Sequence, residues 1–309
     1  MIATGSVPLP VRGGRSSAMK DKTNVGYIGL GNIGKPSARH LICDHFRLHV
    51  YDVHQPAVDE MVADGAIGCV SVAELAAACA HIGICVRDDA QVESLLFGAG
   101  GILENAAAGT YVTVHSTVTQ ANLLRWSAQA QEKGVRLIDA PITGGAHRAE
   151  AGTLCYMVGG NEADVQACTE IFDNSAEKIV HAGPLGSGIA LKLCNNFIQY
   201  TEFVAMAEAT RLAEACGLSV DVLRDVGLSN GVVNEQMQLF VSGRNSLVKS
   251  CSEEEMEQFF GAMGRLGRKD LDCALATAAD KGVALPTAEY VRDRIENVFL
   301  AKDESRPVD

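Results

Sequence analysis

The pattern of apolar residues in this 309-residue chain changes once, near Pro184, and that change constrains the fold more than any other feature. From Asn24 to Pro184, short apolar runs alternate with segments whose apolar residues recur at helical spacing. Such alternation is typical of a doubly wound α/β sheet. The predicted strands are Val25–Ile28, Leu48–Tyr51, Ile82–Val86, Tyr111–Val114, Val135–Ile138 and Leu154–Val158, and the predicted helices include Ser71–Ala80, Asp88–Phe97 and Gln120–Lys133. The last strand follows a short corner, which favours an antiparallel edge strand.

The second half of the chain has the pattern of a helical domain. Proline is absent from Ser187 to Cys216, which predicts one helix of about 29 residues, roughly 43 Å long. Further helices are predicted through Val298, with breaks at Gly227–Gly231 and Gly243–Ser246, and the acidic run Glu253–Glu255 is expected to begin one of them. We therefore predict a Rossmann-type doubly wound domain at 23–185 and an all-α domain at 186–309, joined by the long helix.

Composition excludes several classes of protein. The chain has 38 acidic and 26 basic side chains and a net charge of −12, whereas nucleic-acid binders need a basic face. No apolar stretch approaches the roughly 18 residues of a membrane span. The ten cysteines include no CxxC pair and mostly lie among apolar residues. This usage favours reduced thiols in a cytoplasmic protein over disulfides or a metal site.

The first 22 residues do not have the pattern of folded structure. They contain Gly, Pro and Ser and no acidic residue before Asp21. We predict a disordered tail at 1–22, with the hypothesis that Met19 is the natural start. A transit peptide would fit the composition, but two prolines and three glycines prevent an amphipathic helix.

A glycine turn is the strongest local signal for a ligand. It follows the first predicted strand, precedes a predicted helix, and reads Gly29-Leu30-Gly31-Asn32-Ile33-Gly34. In such a turn the glycines allow a tight bend, close approach of a pyrophosphate and close helix packing. A purely structural turn is the alternative. Asp52, at the end of the second predicted strand, is placed to bind ribose hydroxyls and would repel a 2′-phosphate. NAD is therefore favoured, and the neighbouring His54 leaves NADP open.

A second group of polar residues lies at the start of the long helix. Helical spacing places Gly188, Lys192, Asn195, Asn196 and Gln199 on one face. Partial burial of Lys192 between two domains would lower its pKa towards neutrality, as an acid/base for a substrate hydroxyl requires. All eight histidines lie at or before His181, so the helical half supplies no imidazole. A surface lysine on an amphipathic helix is the alternative.

Two further segments follow predicted strands, where ligands bind in open α/β sheets. Ser116 and Thr117 come after one strand, and Asp139–Gly145 comes after the next. Ser116 offers a hydroxyl, and Gly144 and Gly145 offer backbone N–H groups that can hold a carboxylate. An ordinary helix cap and an ordinary Pro/Gly turn are the structural alternatives.

Taken together, these segments resemble the β-hydroxyacid dehydrogenase family, which includes 3-hydroxyisobutyrate dehydrogenases and tartronate semialdehyde reductases. The resemblance runs from about Val25 to Thr287. Four motifs occur in the family's order: Tyr27–Pro36, Asp139–Gly145, Gly188–Asn196 and Lys269-Asp270-Leu271. The resemblance implies a Rossmann domain, a helical domain, and an active site in the cleft between them.

The resemblance also implies roles for individual residues. Lys192 would be the catalytic acid/base, and Asn196 would hold the substrate. The substrate carboxylate would bind Ser116 and the segment Thr143, Gly144 and Gly145. The cofactor would contact Gly29, Leu30, Gly31, Asn32, Ile33, Gly34, Asp52, Val86, Arg87, Thr117 and Lys269. The reaction would be reversible hydride transfer between a small 3-hydroxy acid, such as 3-hydroxyisobutyrate, and NAD, in a homodimer or homotetramer.

Departures from the family pattern keep alternatives open. Val114-His115 precede Ser116-Thr117 where an Asp-containing motif is usual, and Arg87 stands where proline is usual; both could alter substrate or cofactor preference. Asn195 replaces the histidine of 6-phosphogluconate dehydrogenases, which disfavours a sugar phosphate, and imine reductases typically lack a lysine at position 192. The remaining alternatives are an NADPH-dependent reductase of semialdehydes or glyoxylate and a non-catalytic nicotinamide-binding regulator.

Overall fold

The computed structural model describes residues 22–248 and 250–303, apart from the side chains at positions 235 and 241. The tail predicted at 1–22, and the hypothesis about Met19, therefore fall outside the described residues except for position 22.

The described strands form a single nine-stranded sheet. They are β1 (Thr23–Ile28), β2 (Phe46–Tyr51), β3 (Ile67–Gly68), β4 (His81–Ile84), β5 (Tyr111–Val114), β6 (Arg136–Asp139), β7 (Ile142–Thr143), β8 (Leu154–Gly159) and β9 (Ala176–Gly183). Their order is β3-β2-β1-β4-β5-β6-β8-β7, and β9 pairs with β8. The pairs from β3 to β6 are all parallel, whereas β8 is antiparallel to β6 and β7 and parallel to β9.

Short helices connect these strands. They are α1 (Gly34–Arg39), α2 (Gln55–Ala63), α3 (Val72–Ala78), α4 (Asp89–Phe97), α5 (Ile102–Asn105), α6 (Gln120–Glu132), α7 (Gly145–Ala151) and α8 (Glu162–Phe172). The chain leaves β1 towards β2 on one side and later returns to β4 on the other side. In an open α/β sheet, this switch point is where the carboxyl ends of the strands leave a crevice for a ligand. The predicted doubly wound sheet is confirmed.

After the sheet, the regular elements that the structure describes are all helices. The helices are α9 (Ser187–Ala215), α10 (Val220–Asn230), α11 (Glu235–Val248), α12 (Glu253–Met256), α13 (Ala262–Asp280), α14 (Pro286–Arg292) and α15 (Ile295–Leu300), with a π-helical segment at Glu257–Gly261. Near its start α9 packs Ile189 and Leu193 into the core of the sheet. Further along, Tyr200, Phe203 and Val204 enter the core of the helical half. The predicted long helix is therefore confirmed, and it joins the two cores.

Three strands are absent from the sequence prediction: the two-residue strands β3 and β7, and the eight-residue strand β9. β8 is antiparallel to β6 and β7, as predicted, but it is not an edge strand because β9 pairs with its other side. The sequence of β9 includes Glu177, Lys178 and His181, all exposed. Polar, exposed residues interrupt the apolar run by which a strand is detected from sequence, so β9 was not predicted.

The predicted breaks between the later helices were partly wrong. Gly227 lies inside α10, and this helix ends at Gly231, whose φ is +78°. The segment Gly243–Ser246 lies inside α11. Within it, Arg244 is fully buried and donates from Nη1 to the carbonyl oxygen of Val298 at 2.8 Å. This tertiary anchor offsets the roughly 1 kcal/mol that an interior glycine costs a helix.

Candidate active site

The glycine turn lies at the switch point of the sheet. Gly29 has φ +97°, and a side chain there would collide with the carbonyl oxygen of Cys85 at the end of β4. Gly34 packs against the backbone of Gly29 with no space for a side chain. A Cβ on Gly31 would meet no atom within 4 Å. Two glycines therefore hold the turn closed against the sheet, and the middle glycine faces an open space that a pyrophosphate can approach.

The other residues of the turn contribute in different ways. Leu30 is buried in one core cluster of the sheet, and half-buried Ile33, just before α1, packs against a second cluster. The side chain of Leu30 stabilises the turn, so only its backbone atoms can contact a ligand. Asn32 is exposed beside Gly31, so its side chain can contact a ligand.

Asp52 follows β2 and is tied to the glycine turn. The N–H of Leu30 donates to Asp52 Oδ2 at 2.6 Å, and the N–H of His54 donates to Oδ1 at 2.7 Å. Each oxygen keeps a lone pair for a further donor, such as a ribose hydroxyl. Val53 beside it is 92% exposed. The carboxylate thus fits a dinucleotide that carries free ribose hydroxyls.

The loops after β4 and β5 meet each other. The N–H of Val86 donates to Oγ of Ser116 at 2.9 Å, and Ser116 is almost fully buried. Arg87 is exposed, and its guanidinium has no partner among the described residues. Thr117 is half-buried, and its carbonyl oxygen accepts a 2.6 Å hydrogen bond from Nζ of Lys269. The structure thus brings the helical half into contact with the carboxyl edge of the sheet at this point.

The predicted carboxylate-binding segment follows β6, and it starts beside β5, where the N–H of Ala140 donates to the carbonyl oxygen of Val114 at 2.9 Å. Thr143 on β7 is half-buried and pairs with Cys155 on β8. Gly144 and Gly145 have φ values of +133° and +73°, which favour glycine. A Cβ on Gly145 would meet no atom within 4 Å, so its backbone is open to a ligand.

Lys192 lies one helical turn before Asn196 on α9 and is half-buried. Burial lowers its pKa to about 8, and the positive charge of Lys269 acts in the same direction, whereas Asp270 and the Cys155 thiol oppose the shift. Its ammonium makes no hydrogen bond to a residue that the structure describes. Lys192 therefore combines a free amine with a pKa close to physiological pH, as a general acid/base requires.

A buried carboxylate that the sequence analysis did not assign connects these groups. Asp270 Oδ2 accepts hydrogen bonds from Asn196 Nδ2 at 2.7 Å and from the hydroxyl of Tyr200 at 3.1 Å. Its Oδ1 lies 2.7 Å from Nζ of Lys269. Because the carboxylate only accepts, the Asn196 amide must turn its nitrogen towards it. Its Oδ1 accepts a long hydrogen bond from Nδ2 of Asn195 at 3.4 Å, and its second N–H remains as a donor for a ligand.

Two signals in the sequence point to this cluster. Asp270 is the central residue of the Lys269-Asp270-Leu271 motif, and Tyr200 follows Asn196 by four residues on α9. Cys155, which influences the pKa of Lys192, carried no such signal.

His115, which departs from the family pattern, is a core residue. Its Nδ1 lies 2.8 Å from the carbonyl oxygen of Ala140, and its Nε2 lies 3.2 Å from Oγ1 of Thr113, which in turn lies 3.1 Å from Nε2 of His81. Burial lowers the pKa of His115 to about 4 and that of His81 to about 3. Both rings are therefore neutral near pH 7 and support the sheet beneath Ser116.

The described part of the chain contains no group of three or more His, Cys, Asp or Glu side chains that could hold a metal ion. Within the same residues, no helix has the length and hydropathy needed to cross a membrane.

Two family descriptions match consecutive parts of the chain. The NAD-binding domain of 6-phosphogluconate dehydrogenase matches residues 24–183. The NAD-binding domain of NADP-dependent 3-hydroxyisobutyrate dehydrogenase matches residues 186–306. The chain belongs to the β-hydroxyacid dehydrogenase family. It is accordingly an NAD(P)-dependent oxidoreductase, and the open glycine turn and Asp52 fit such a cofactor.

Known members of the family match along most of their length. An uncharacterized oxidoreductase of Mycobacterium tuberculosis is 34% identical, over 90% of this chain and 94% of its own. The 2-(hydroxymethyl)glutarate dehydrogenase of Eubacterium barkeri is 31% identical, over 87% and 86%. The structure of M. tuberculosis 3-hydroxyisobutyrate dehydrogenase with L-serine superimposes with a TM-score of 0.79 at 26% identity, and covers 92% of this chain and 99% of that one.

Proposed function

We propose that this protein oxidises a small 3-hydroxy acid, similar to 3-hydroxyisobutyrate, to its semialdehyde with NAD and catalyses the reverse reduction. The observation that carries the proposal is the half-buried amine of Lys192, whose pKa is lowered to about 8 beside Asn196 and Lys269. We assign cofactor binding to a Rossmann domain at 23–185 and the acid/base to a helical domain at 186–309.

The proposed reaction consists of hydride transfer, which is the chemistry of the cofactor, and proton transfer, which the side chains perform. A bound nicotinamide supplies the hydride acceptor or donor. Neutral Lys192 takes the proton of the substrate hydroxyl during oxidation, and its ammonium returns that proton during reduction. The second N–H of the Asn196 amide donates to the oxygen of the same hydroxyl and orients it, since the first N–H is held by Asp270.

The remaining predicted residues are assigned to the carboxylate and the cofactor. Thr143, Gly144 and Gly145 hold the substrate carboxylate, together with the hydroxyl proton of Ser116. The glycine turn, Asp52, Val86, Arg87, Thr117 and Lys269 hold the dinucleotide. Lys269 donates to Thr117 and pairs with Asp270, so it ties the two halves of the cleft together at the level of Lys192.

A spectrophotometric screen tests the proposal. Purified protein is offered a panel of 3-hydroxy acids with NAD or NADP, and the corresponding semialdehydes and glyoxylate with NADH or NADPH. We expect the highest kcat/KM with NAD and a short-chain 3-hydroxy acid. Preference for NADPH and a semialdehyde or glyoxylate would favour the reductase alternative. Tight cofactor binding without turnover on any substrate would favour the regulator.

The preference for NAD is expected to depend on Asp52. Its carboxylate accepts from ribose hydroxyls and repels a 2′-phosphate, and it also fixes the glycine turn through the N–H of Leu30. Asp52→Ala should therefore raise KM for NAD and reduce the ratio of kcat/KM for NAD to that for NADP. Asp59→Ala, which removes an exposed carboxylate from α2, is the matched control. An unchanged ratio, or wild-type preference for NADP, would contradict the assignment.

We also propose that the protein is a homodimer or homotetramer. Leu191, Ile198 and Leu212 on α9 are 39%, 59% and 68% exposed. Their spacing of 7 and 14 residues places them on one stripe of the helix. A contiguous exposed apolar surface is typical of an interface. Light scattering should give two or four times the mass of the chain, and a monomer at micromolar concentration would contradict this.

A further inference from the structure

The long helix α9 begins without a capping side chain of its own. Its N-cap residue is Gly186, with φ +88°, and no side chain within the helix accepts from the first turn. The first N–H groups of a helix have no intrahelical acceptor and must be satisfied elsewhere. Asp139, at the end of β6 and 47 residues earlier, supplies the acceptors. Its Oδ1 accepts from the N–H of Gly186, and its Oδ2 accepts from the N–H of Ile189, both at 2.8 Å.

The charge of Asp139 is compensated by this helix end. The residue has no exposed surface, and no ion pair joins it to a lysine, arginine or histidine in the described part of the chain. Burial raises the pKa of its carboxyl, and hydrogen bonds from Gly186, Ile189 and Gly188 oppose that rise. An unpaired buried carboxylate is costly, but the positive end of a long helix stabilises it. The carboxylate and the helix end are therefore mutually dependent.

The same contact determines where α9 lies on β8. A Cβ on Gly188 would lie 2.9 Å from Oδ2 of Asp139 and would collide with the carbonyl oxygen of Met157. A Cβ on Gly159 of β8 would collide with the same carboxylate. Only glycines allow the helix, the strand and the carboxylate to approach this closely.

Lys192 follows Gly188 by one turn on the same face of α9. The axial distance between them is about 6 Å, since an α-helix rises 1.5 Å per residue. Two residues of strand span about 6.6 Å, which is the step from Met157 to Cys155 along β8. Gly188 lies over Met157, and Lys192 is close enough to Cys155 for the thiol to influence its pKa. The contact at Gly188 therefore determines the position of the lysine along the strand.

We propose that Asp139 is a positioning residue for Lys192: it anchors the start of α9 to the sheet and thereby holds the amine at the substrate hydroxyl. This inference rests on the proposed function. It separates Asp139 from the carboxylate-binding residues of the same segment, because both its oxygens are used inside the fold and it has no exposed surface.

Asp139→Asn tests the inference with little change in volume. The amide retains one acceptor, and its NH₂ group would face an N–H donor of α9, so the start of the helix should move away. A misplacement of about 1 Å can cost up to about 100-fold in rate, and we expect kcat to fall about 10- to 100-fold. The Kd for NADH should stay within about twofold of wild type, since the glycine turn and Asp52 are untouched.

A pH profile separates positioning from general destabilisation. Asp270, Lys269 and Cys155 are the ionisable groups that influence Lys192, and none of them changes in the variant. If α9 moves, Lys192 becomes less buried, and its apparent pKa in the oxidation reaction should rise above about 8 towards the ordinary value of a lysine. Asn161→Ala removes the cap of α8 and serves as the control. It should lower thermal stability and leave kcat and the pH midpoint at wild-type values.

Gly188→Ala provides a second test that retains the carboxylate. The added methyl group would push α9 away from Met157, so kcat should fall and the pH midpoint should rise as in Asp139→Asn. If Asp139→Asn does not yield folded protein, this variant decides the question.

Wild-type kcat and pH midpoint in either folded variant would overturn the positioning role. So would equal losses of kcat in Asp139→Asn and Asn161→Ala. Lys192→Ala, measured in parallel, separates this outcome from failure of the proposed function. Turnover within about threefold of wild type in Lys192→Ala refutes the proposed function. A strongly impaired Lys192→Ala beside a wild-type-like Asp139→Asn refutes only the role of Asp139.

Discussion

Lys192→Ala is expected to lower kcat for oxidation and for reduction by about 10²- to 10⁴-fold, the usual contribution of a positioned acid/base. The variant removes the only group in the proposed site that is both free of partners among the described residues and close to neutrality in pKa. Cofactor affinity should stay within about twofold, because the glycine turn and Asp52 lie on the sheet. Stopped-flow or steady-state rates, together with NADH fluorescence titration, measure the two quantities.

Lys281→Ala is the matched control for this variant. Lys281 is exposed and caps the end of α13, far along the chain from the acid/base. Lys281→Ala should leave both kcat and the affinity for NADH unchanged. Turnover within about threefold of wild type in Lys192→Ala would reject the lysine as acid/base, and loss of NADH binding in the same variant would show a structural role.

Asp270→Asn is the second substitution from which we expect a large effect. It removes the charge that raises the pKa of Lys192 and weakens the hydrogen bonds that hold Asn196 and Tyr200. Without Asp270 the pKa of Lys192 falls below about 8, so the oxidation rate should reach its plateau at lower pH. The plateau itself should also be lower, because Asn196 and Lys269 lose their anchor.

Stability should fall as well, by about 1–3 kcal/mol, since buried donors lose an ionised acceptor. Asp272→Asn is the control on the same helix: its carboxylate is exposed and pairs with Arg292 at 3.2 Å. Denaturant unfolding should show a lower stability for Asp270→Asn than for Asp272→Asn, and pH–rate profiles should show a lower pH midpoint. A pH midpoint in Asp270→Asn equal to or above that of wild type would contradict the proposed electrostatics.

Local patterns in the sequence were sufficient to predict most of the fold. β1 and β4 are apolar runs, α9 is a long stretch without proline, and the glycine turn lies between a strand and a helix. Each of these signals lies within about 30 consecutive residues, so no knowledge of tertiary contacts was needed. The prediction lacks β9 because three of its eight residues are polar and exposed, and it divides α11 wrongly because a distant contact of Arg244 stabilises this helix through Gly243.

The candidate site was predicted less completely. Lys192 and Asn196 share a helix face, so their proximity followed from helical spacing. Asp270 is 74 residues from Asn196, and its role depends on the packing of α13 against α9. The sequence predicts Asp139 as part of a ligand-binding turn, although its carboxylate accepts from the N–H groups at the start of α9. For both carboxylates, sequence spacing does not show which backbone or side-chain donor the buried group meets.

The pH dependence of kcat in the two directions tests the central claim most directly. At saturating NAD and substrate, the oxidation rate should rise about tenfold per pH unit below pH 8 and then level off, because the neutral amine is the base. The reduction rate should fall above the same pH, because the ammonium is the acid. Profiles that are flat between pH 6 and pH 10, or that change in the same sense in both directions, would contradict the assignment of Lys192.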